Sequence, residues 1–267
     1  MGVTVILVAL WPHLLVLGVA LLSMALFAVQ RARHGYQPSS KINPTKNVLI
    51  PSFGANWFFW CLEHLVQGLI ALGLSPNQVT ILSTLVGLLA GAAYAIGWFA
   101  AAGWLLLCSG ALDMMDGWVA RLTGQTSKSG DFLDAVCDRY VEIFIFLGLS
   151  VYYRERWWMM LACALAITGS MMVSYTRARG EVMGLEYNKG IFQRAERMVW
   201  LSVVSVFSPL AQIWIDPWAA HPFYAPVAVL VIITAVLATA GGLHRTVAIT
   251  RIFGRGEAQA EGDGEEG

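Results

Sequence analysis

The chain has 267 residues, of which 57% are hydrophobic and only 13% charged, with a mean hydropathy of +0.63. Ordinary soluble domains carry about 25% charge, so this composition excludes a water-soluble globule and indicates a polytopic membrane protein. Lys plus Arg and Asp plus Glu each number 17, so the net charge is zero and no global field recruits nucleic acid or an acidic partner.

The first apolar run, Val3 to Gln30, is too long for a signal-peptide core and has no small-residue cleavage pattern before Arg31. It is expected to remain as a transmembrane helix. A polar linker follows from Arg31 to Asn47, with Lys41 and Lys46 as charges and Pro38 and Pro44 as breakers. From Asn56 to Leu72, apolar residues mix with Glu63, His64 and Gln67, and Trp57 and Trp60 sit near the start. That pattern predicts an amphipathic helix lying in the headgroup region. His64 reads there as a polar-face residue.

Ser75 and Pro76 mark a helix start, Ser75 as cap and Pro76 at the first helical position. The core spans are expected from there to about Gly97, then Phe99–Arg121, Gly130–Tyr153, Trp157 to about Thr176, Ile191–Trp214 and Pro222 to about Thr246. Each is near the 20 residues needed to cross the hydrocarbon. The predicted fold is all-α: a transmembrane bundle of six core helices, one interfacial helix and one extra N-terminal span. Cys61, Cys108, Cys137 and Cys163 stand singly in apolar segments and read as small hydrophobes. Most Lys and Arg residues fall on one side of this topology, only Arg154 and Arg156 opposite and Arg139 inside a helix. The positive-inside bias makes the basic side cytoplasmic.

The segment Asp113 to Asp138 then stands out. Asp113, Asp116, Gly117 and Ala120 share one helix face, and Gly130, Asp134 and Asp138 recur every four residues on the next. Two helices joined by the short turn Leu122–Ser129 must pack, bringing the four carboxylates into one cleft at the cytoplasmic face. Carboxylates in apolar surroundings call for a compensating cation, and an all-oxygen donor set suits Mg²⁺ or Mn²⁺. Two such ions about 4 Å apart clamp the attacking and leaving oxygens of a phosphoryl displacement. The alternatives are structural ion pairs with Arg121 or Arg139, and an ion-coupled transporter. The latter places its carboxylates near the midplane between repeats, and no internal repeat is visible. Asp131 reads as a first-turn helix carboxylate rather than a ligand.

The spacing of Asp113, Asp116, Gly117, Ala120, Arg121, Gly130, Asp134 and Asp138 resembles, at every position, the signature of the CDP-alcohol phosphotransferase family. The resemblance covers roughly Leu69 to Thr246. It implies a six-helix membrane enzyme that joins the phosphatidyl part of CDP-diacylglycerol to an alcohol and releases CMP. By position it implies Asp113 and Asp134 as ligands shared by two divalent cations, Asp116 as ligand to one, and Asp138 as ligand to the other and catalytic base. It implies CDP-lipid contacts from Asn77, Gln78, Val79 and Thr80, and from Gly117, Arg121 and Ser127. The first four also make a good helix start. A third alternative, an inactive lipid-binding scaffold, is opposed by the intact signature.

Arg177, Arg179, Lys189, Arg194 and Arg197 gather near the same face. Snorkelling explains any one of them, whereas together they suggest an anion pocket and a phosphorylated acceptor. The stretches Ser174–Glu181 and Gln193–Leu201 resemble those of bacterial phosphatidylinositol phosphate synthases, implying Arg177 and Arg197 as contacts to inositol 1-phosphate. In the last span Gly241 and Gly242 stand where that group has a basic residue, and Arg245, three residues on, is the expected substitute. Glycerol 3-phosphate is the rival acceptor.

The expected division is residues 1–48 as N-terminal helix and linker, 49–253 as the catalytic domain, and 254–267 as a disordered acidic tail. A homodimer in the bacterial inner membrane, in contact with membrane lipid, follows from the resemblance.

Overall fold

The computed structural model describes residues 2–35, 52–185, 193–215 and 222–265. These form eight helices: α1 Gly2–His34, α2 Ser52–Ala71, α3 Pro76–Ala95, α4 Phe99–Thr123, α5 Lys128–Tyr152, α6 Trp157–Val182, α7 Arg194–Ile215 and α8 Ala225–Glu265. No strand occurs among the described residues. Lys41, Lys46 and Lys189 lie outside them.

Local chemistry sets the helix starts nearest the carboxylates. At α3, the Ser75 hydroxyl accepts from the Gln78 backbone N–H, while Gln78 Oε1 accepts from the Ser75 N–H at 2.8 Å, a complete capping box. Ser127 caps α5 by accepting from the Gly130 N–H at 3.1 Å. Between α4 and α5, Gly124 takes φ 69, a left-handed turn that a side chain would oppose. The connection is short, but α4 and α5 do not pack on each other as the short turn predicts; both pack on α3, which brings their carboxylate ends together.

Five helices, α1, α3, α4, α6 and α8, are by themselves long and apolar enough to cross a membrane. The sequence leads one to expect α5 and α7 among them, but their first turns are too polar. α5 carries Lys128, Asp131, Asp134, Asp138, Arg139 and Glu142, and α7 carries Arg194, Glu196 and Arg197. α5 packs on α3 and α6, and α7 on α4 and α8, while their polar starts pair with each other, Arg194 with Asp138 and Arg197 with Glu142. α6 and α8 also run past their expected ends, and α8 continues to Glu265 through the segment expected to be disordered. Extending an existing helix gains a hydrogen bond per residue without a new nucleus, which offsets the poor helix propensity of Gly254, Gly256, Gly262 and Gly264.

The main core lies in the half of the bundle away from the carboxylates, around Tyr94, Phe99, Ile145, Phe146, Leu149, Tyr153, Met159, Val227 and Val231. Here α3 and α5 touch backbone to backbone. A Cβ on Gly148 would lie 2.0 Å from the Gly91 carbonyl oxygen, and one on Gly91 would lie 2.5 Å from that of Phe144. Only glycine permits this approach. The same end is closed by aromatic rings: Phe99 lies 4.2 Å from Tyr224 between centroids. Tyr153 donates to the Phe223 carbonyl at 3.0 Å, and Tyr152 donates to that of Pro222.

A smaller core joins α2 to the site half, with Leu62 and Val66 against Val79, Met115, Trp118 and Val119. α2 also reaches α1, where Trp60 Nε1 donates to Gln30 Oε1 at 3.0 Å and Trp57 Nε1 to the Ser23 hydroxyl at 3.2 Å. His64 is exposed and its ring contacts the Trp60 carbonyl, as a polar-face residue should. α1 docks against α4 and α7, with His13 Nε2 donating to the Val206 carbonyl at 2.8 Å.

Candidate active site

Asp113 stands in the second half of α4, and Asp134 and Asp138 in the first half of α5. One carboxylate oxygen from each lies within 4.8 Å of the other two. All three side chains are half-buried, and Asp134 Oδ1 is buried with no hydrogen-bond partner among the described residues. Like charges this close in a poorly screened site repel strongly, and an orphaned carboxylate oxygen is costly. A hard divalent cation would relieve both, and the donors present are all oxygen.

Asp116, one turn further along α4, is not part of this trio. Its carboxylate is 7% exposed, and its Oδ2 accepts from the Thr80 hydroxyl at 2.5 Å. It remains an electrostatic neighbour of Asp134 and Asp138. Thr80 itself is buried, so α3 orients a carboxylate of α4 by a direct hydrogen bond.

The residues expected near the CDP moiety divide by exposure. Asn77, Gln78, Arg121 and Ser127 are exposed at the site end of the bundle. Asn77 Oδ1 lies against α5, 3.3 Å from where a Gly130 Cβ would stand. The Arg121 guanidinium folds back over Gly117, whose missing Cβ would be 3.3 Å from Nη1. Gln78 and Ser127 are engaged as helix caps. Val79 differs from the rest: the whole residue is buried in the smaller core and its N–H donates to the Ser75 carbonyl, so it does not face the site.

The three basic residues expected at the acceptor do not form one exposed pocket. Arg177 is exposed on the last turns of α6 and pairs with Glu181 through Nε at 2.8 Å. Arg197 is 3% exposed, donating to Glu142 Oε1 from Nη2 at 2.7 Å and from Nε at 3.3 Å. Arg245 is 7% exposed and donates from Nη1 to the Val173 carbonyl on α6 at 3.0 Å. Buried arginines need partners, and a cluster read from sequence as solvent-facing charge supplies them from inside the bundle.

Two further residues belong to this region. Arg194 at the start of α7 sets Nη1 2.6 Å from Asp138 Oδ1 and donates from Nη2 to the Asp138 carbonyl at 3.1 Å. Glu142, four residues beyond Asp138, is fully buried. The four-residue rhythm Gly130, Asp134, Asp138 extends to Glu142, a signal present in the sequence. Its partner Arg197 is 55 residues away, and no local pattern reveals that pairing.

Comparison with known proteins gives a consistent picture. A family model described as CDP-alcohol phosphatidyltransferase matches residues 73–240. An archaetidylinositol phosphate synthase of Pyrococcus horikoshii is 37% identical over 148 residues, covering 55% of this chain and 77% of that protein. A phosphatidylinositol phosphate synthase of Cutibacterium acnes is 31% identical over 211 residues, covering 76% of this chain and 98% of that one. Among solved structures, the Mycobacterium tuberculosis phosphatidylinositol phosphate synthase with CDP-DAG bound superposes with a TM-score of 0.61. It is 25% identical, over 70% of this chain and 92% of its own. The same enzyme in complex with manganese and citrate gives 0.62, over 70% and 88%.

Proposed function

The chain belongs to the CDP-alcohol phosphatidyltransferase family, and on that premise we propose that it transfers the phosphatidyl group of CDP-diacylglycerol to inositol 1-phosphate, releasing CMP. It is an integral membrane transferase of phospholipid synthesis. The observation that carries the reading is the Asp113, Asp134 and Asp138 trio, a hard-cation donor set at the end of a bundle whose relatives include a CDP-DAG complex and a manganese complex. Both the archaeal and the bacterial relatives are named for inositol phosphate products, which favours that acceptor over glycerol 3-phosphate.

In this reading Asp113 and Asp134 hold both of two Mg²⁺ or Mn²⁺ ions, Asp116 one of them, and Asp138 the other. When bound, the ions supply positive charge that offsets the charge gained by the departing CMP and that eases ionisation of the acceptor hydroxyl. The chain does the rest. The acceptor oxygen attacks the phosphorus carrying diacylglycerol, its proton passes to the Asp138 carboxylate, and the bond from that phosphorus to CMP breaks. Thr80 holds Asp116 in place. Arg121, beside Gly117, and Asn77 and Ser127 at the helix starts face the nucleotide, while Gln78 and Val79 hold that helix start in shape, one in the cap and one in the core. Arg177, Arg197 and Arg245 supply positive charge on the acceptor side.

The basic residues at the site end support a cytoplasmic-facing site in the bacterial inner membrane. We place the catalytic domain at residues 49–253 and take the working unit to be a homodimer, which cross-linking in native membranes tests directly. The activity test uses purified protein with Mg²⁺ or Mn²⁺ and CDP-diacylglycerol, and measures CMP release with inositol 1-phosphate, glycerol 3-phosphate, free inositol or serine. Release is expected with the phosphorylated polyol and is lost in Asp138→Asn. A preference for serine or free inositol would overturn the acceptor assignment.

A further inference from the structure

The first turn of α7 lies on α5 as a ladder of two rungs. Arg194 and Arg197, three residues apart on α7, meet Asp138 and Glu142, four apart on α5. The rungs differ in exposure. Arg194 and Asp138 are 23% and 18% exposed, whereas Arg197 and Glu142 are 3% and 0%. Arg197 Nε and Nη2 converge on Glu142 Oε1, and Oε2 is buried without a hydrogen-bond partner among the described residues.

A fully buried ion pair is a poor device for stability, because desolvating both charges consumes most of what their attraction returns. What it does supply is geometry. Two N–H groups directed at one immobile oxygen fix the plane of a guanidinium far more closely than a solvated partner could. The oxygen is immobile because Glu142 lies on the same face of α5 as Asp134 and Asp138, so one rigid helix carries the reacting carboxylates and the anchor of Arg197. Arg139, one turn before Glu142, has both Glu142 and Arg197 among its charged neighbours, and its buried Nη1 has no hydrogen-bond partner among the described residues.

We propose that Glu142 is a positioning residue for the acceptor. It fixes Arg197, and through the first turn of α7 also Arg194, at a set distance from the carboxylate trio, so that the acceptor's phosphate is held where its hydroxyl meets the phosphatidyl phosphorus. This rests on the assignment of Arg197 to a phosphorylated acceptor. Glu142 touches neither substrate and acts through Arg197.

The test separates orientation from folding. Glu142→Gln keeps the volume and an oxygen able to accept from Arg197 but removes the charge that fixes it. Loss of folded protein lowers the maximal rate while leaving every KM where it was, whereas misplacement of Arg197 raises one KM. The expected result for Glu142→Gln is a KM for inositol 1-phosphate about tenfold higher, equivalent to about 1.4 kcal/mol. The KM for CDP-diacylglycerol and the Mn²⁺ dependence stay within about twofold. Glu142→Asp retains the charge at shorter reach, and it shows the same selective rise at roughly threefold. An unchanged acceptor KM in both variants, or an equal rise in both KM values, overturns the proposal. Wild-type protein in the same acceptor series distinguishes the two levels of failure. If it uses no phosphorylated alcohol, the functional assignment falls, and if it does while both variants match it, only the role of Glu142 falls.

Discussion

Replacing Thr80 by Val tests whether α3 holds Asp116 in place. The side chains are nearly the same shape, so the perturbation is the loss of a single hydroxyl donor. That donor sits 2.5 Å from Asp116 Oδ2, and Asp116 is only 7% exposed, so water has little access to replace it. A hydrogen bond to a charged acceptor contributes about 1.5–3 kcal/mol, and each 1.36 kcal/mol is a factor of ten in rate. If Asp116 must be held for transfer, kcat/KM for CMP release should fall by about 10- to 150-fold. Initial rates over a Mn²⁺ titration, with Thr80→Ser alongside, provide the measurement. The Ser variant keeps the hydroxyl and should stay within about threefold of wild type. Wild-type rates and an unshifted Mn²⁺ midpoint in Thr80→Val would refute the reasoning.

Asp134→Asn should cut Mn²⁺ binding in the absence of lipid by at least about tenfold, read by the free-Mn²⁺ electron paramagnetic resonance signal. Because it also relieves repulsion in the trio, the gain in melting temperature on adding Mn²⁺ should shrink or vanish. Gly148→Ala forces a methyl to within 2.0 Å of the Gly91 carbonyl and should cost about 1–3 kcal/mol of stability with a loss of activity. An unchanged melting temperature would show that the crossing is looser than described. Val79→Ala should lower the melting temperature and leave the KM for CDP-diacylglycerol unchanged, since the side chain packs in a core. Arg177→Gln breaks an exposed pair worth only about 0.2–0.5 kcal/mol, so any effect should appear in the acceptor KM and not in thermal stability.

Periodicity was enough to lay out the eight helices and to put Asp113, Asp134 and Asp138 at one end of adjoining helices, whereas α3, on which both α4 and α5 pack, was not legible as the element that brings them together. Nor did periodicity reveal that Asp116 belongs to Thr80, 36 residues away, or that Arg197 is buried on Glu142. Pairings of this kind are set by which helix packs on which, and a sequence pattern carries no record of that. Val79 shows the same limit from the other side, since a helix start reads alike whether its apolar residue meets a ligand or a core. The polar first turns of α5 and α7 were legible too, but not their partners: Asp138 meets Arg194 and Glu142 meets Arg197.

The close approach of α3 and α5 runs the length of the pair. Gly148 meets Gly91 at the end closed by Tyr152 and Tyr153, Gly87 meets Val141 midway, and Gly130 meets Asn77 at the carboxylate end. A methyl at Gly87 would lie 2.8 Å from the Val141 side chain, so the seam leaves little slack between its two ends. The two helices therefore behave as one body, and Asp134 and Asp138 ride on it. A substitution that parts the seam at Gly87 should loosen the cation site together with the fold.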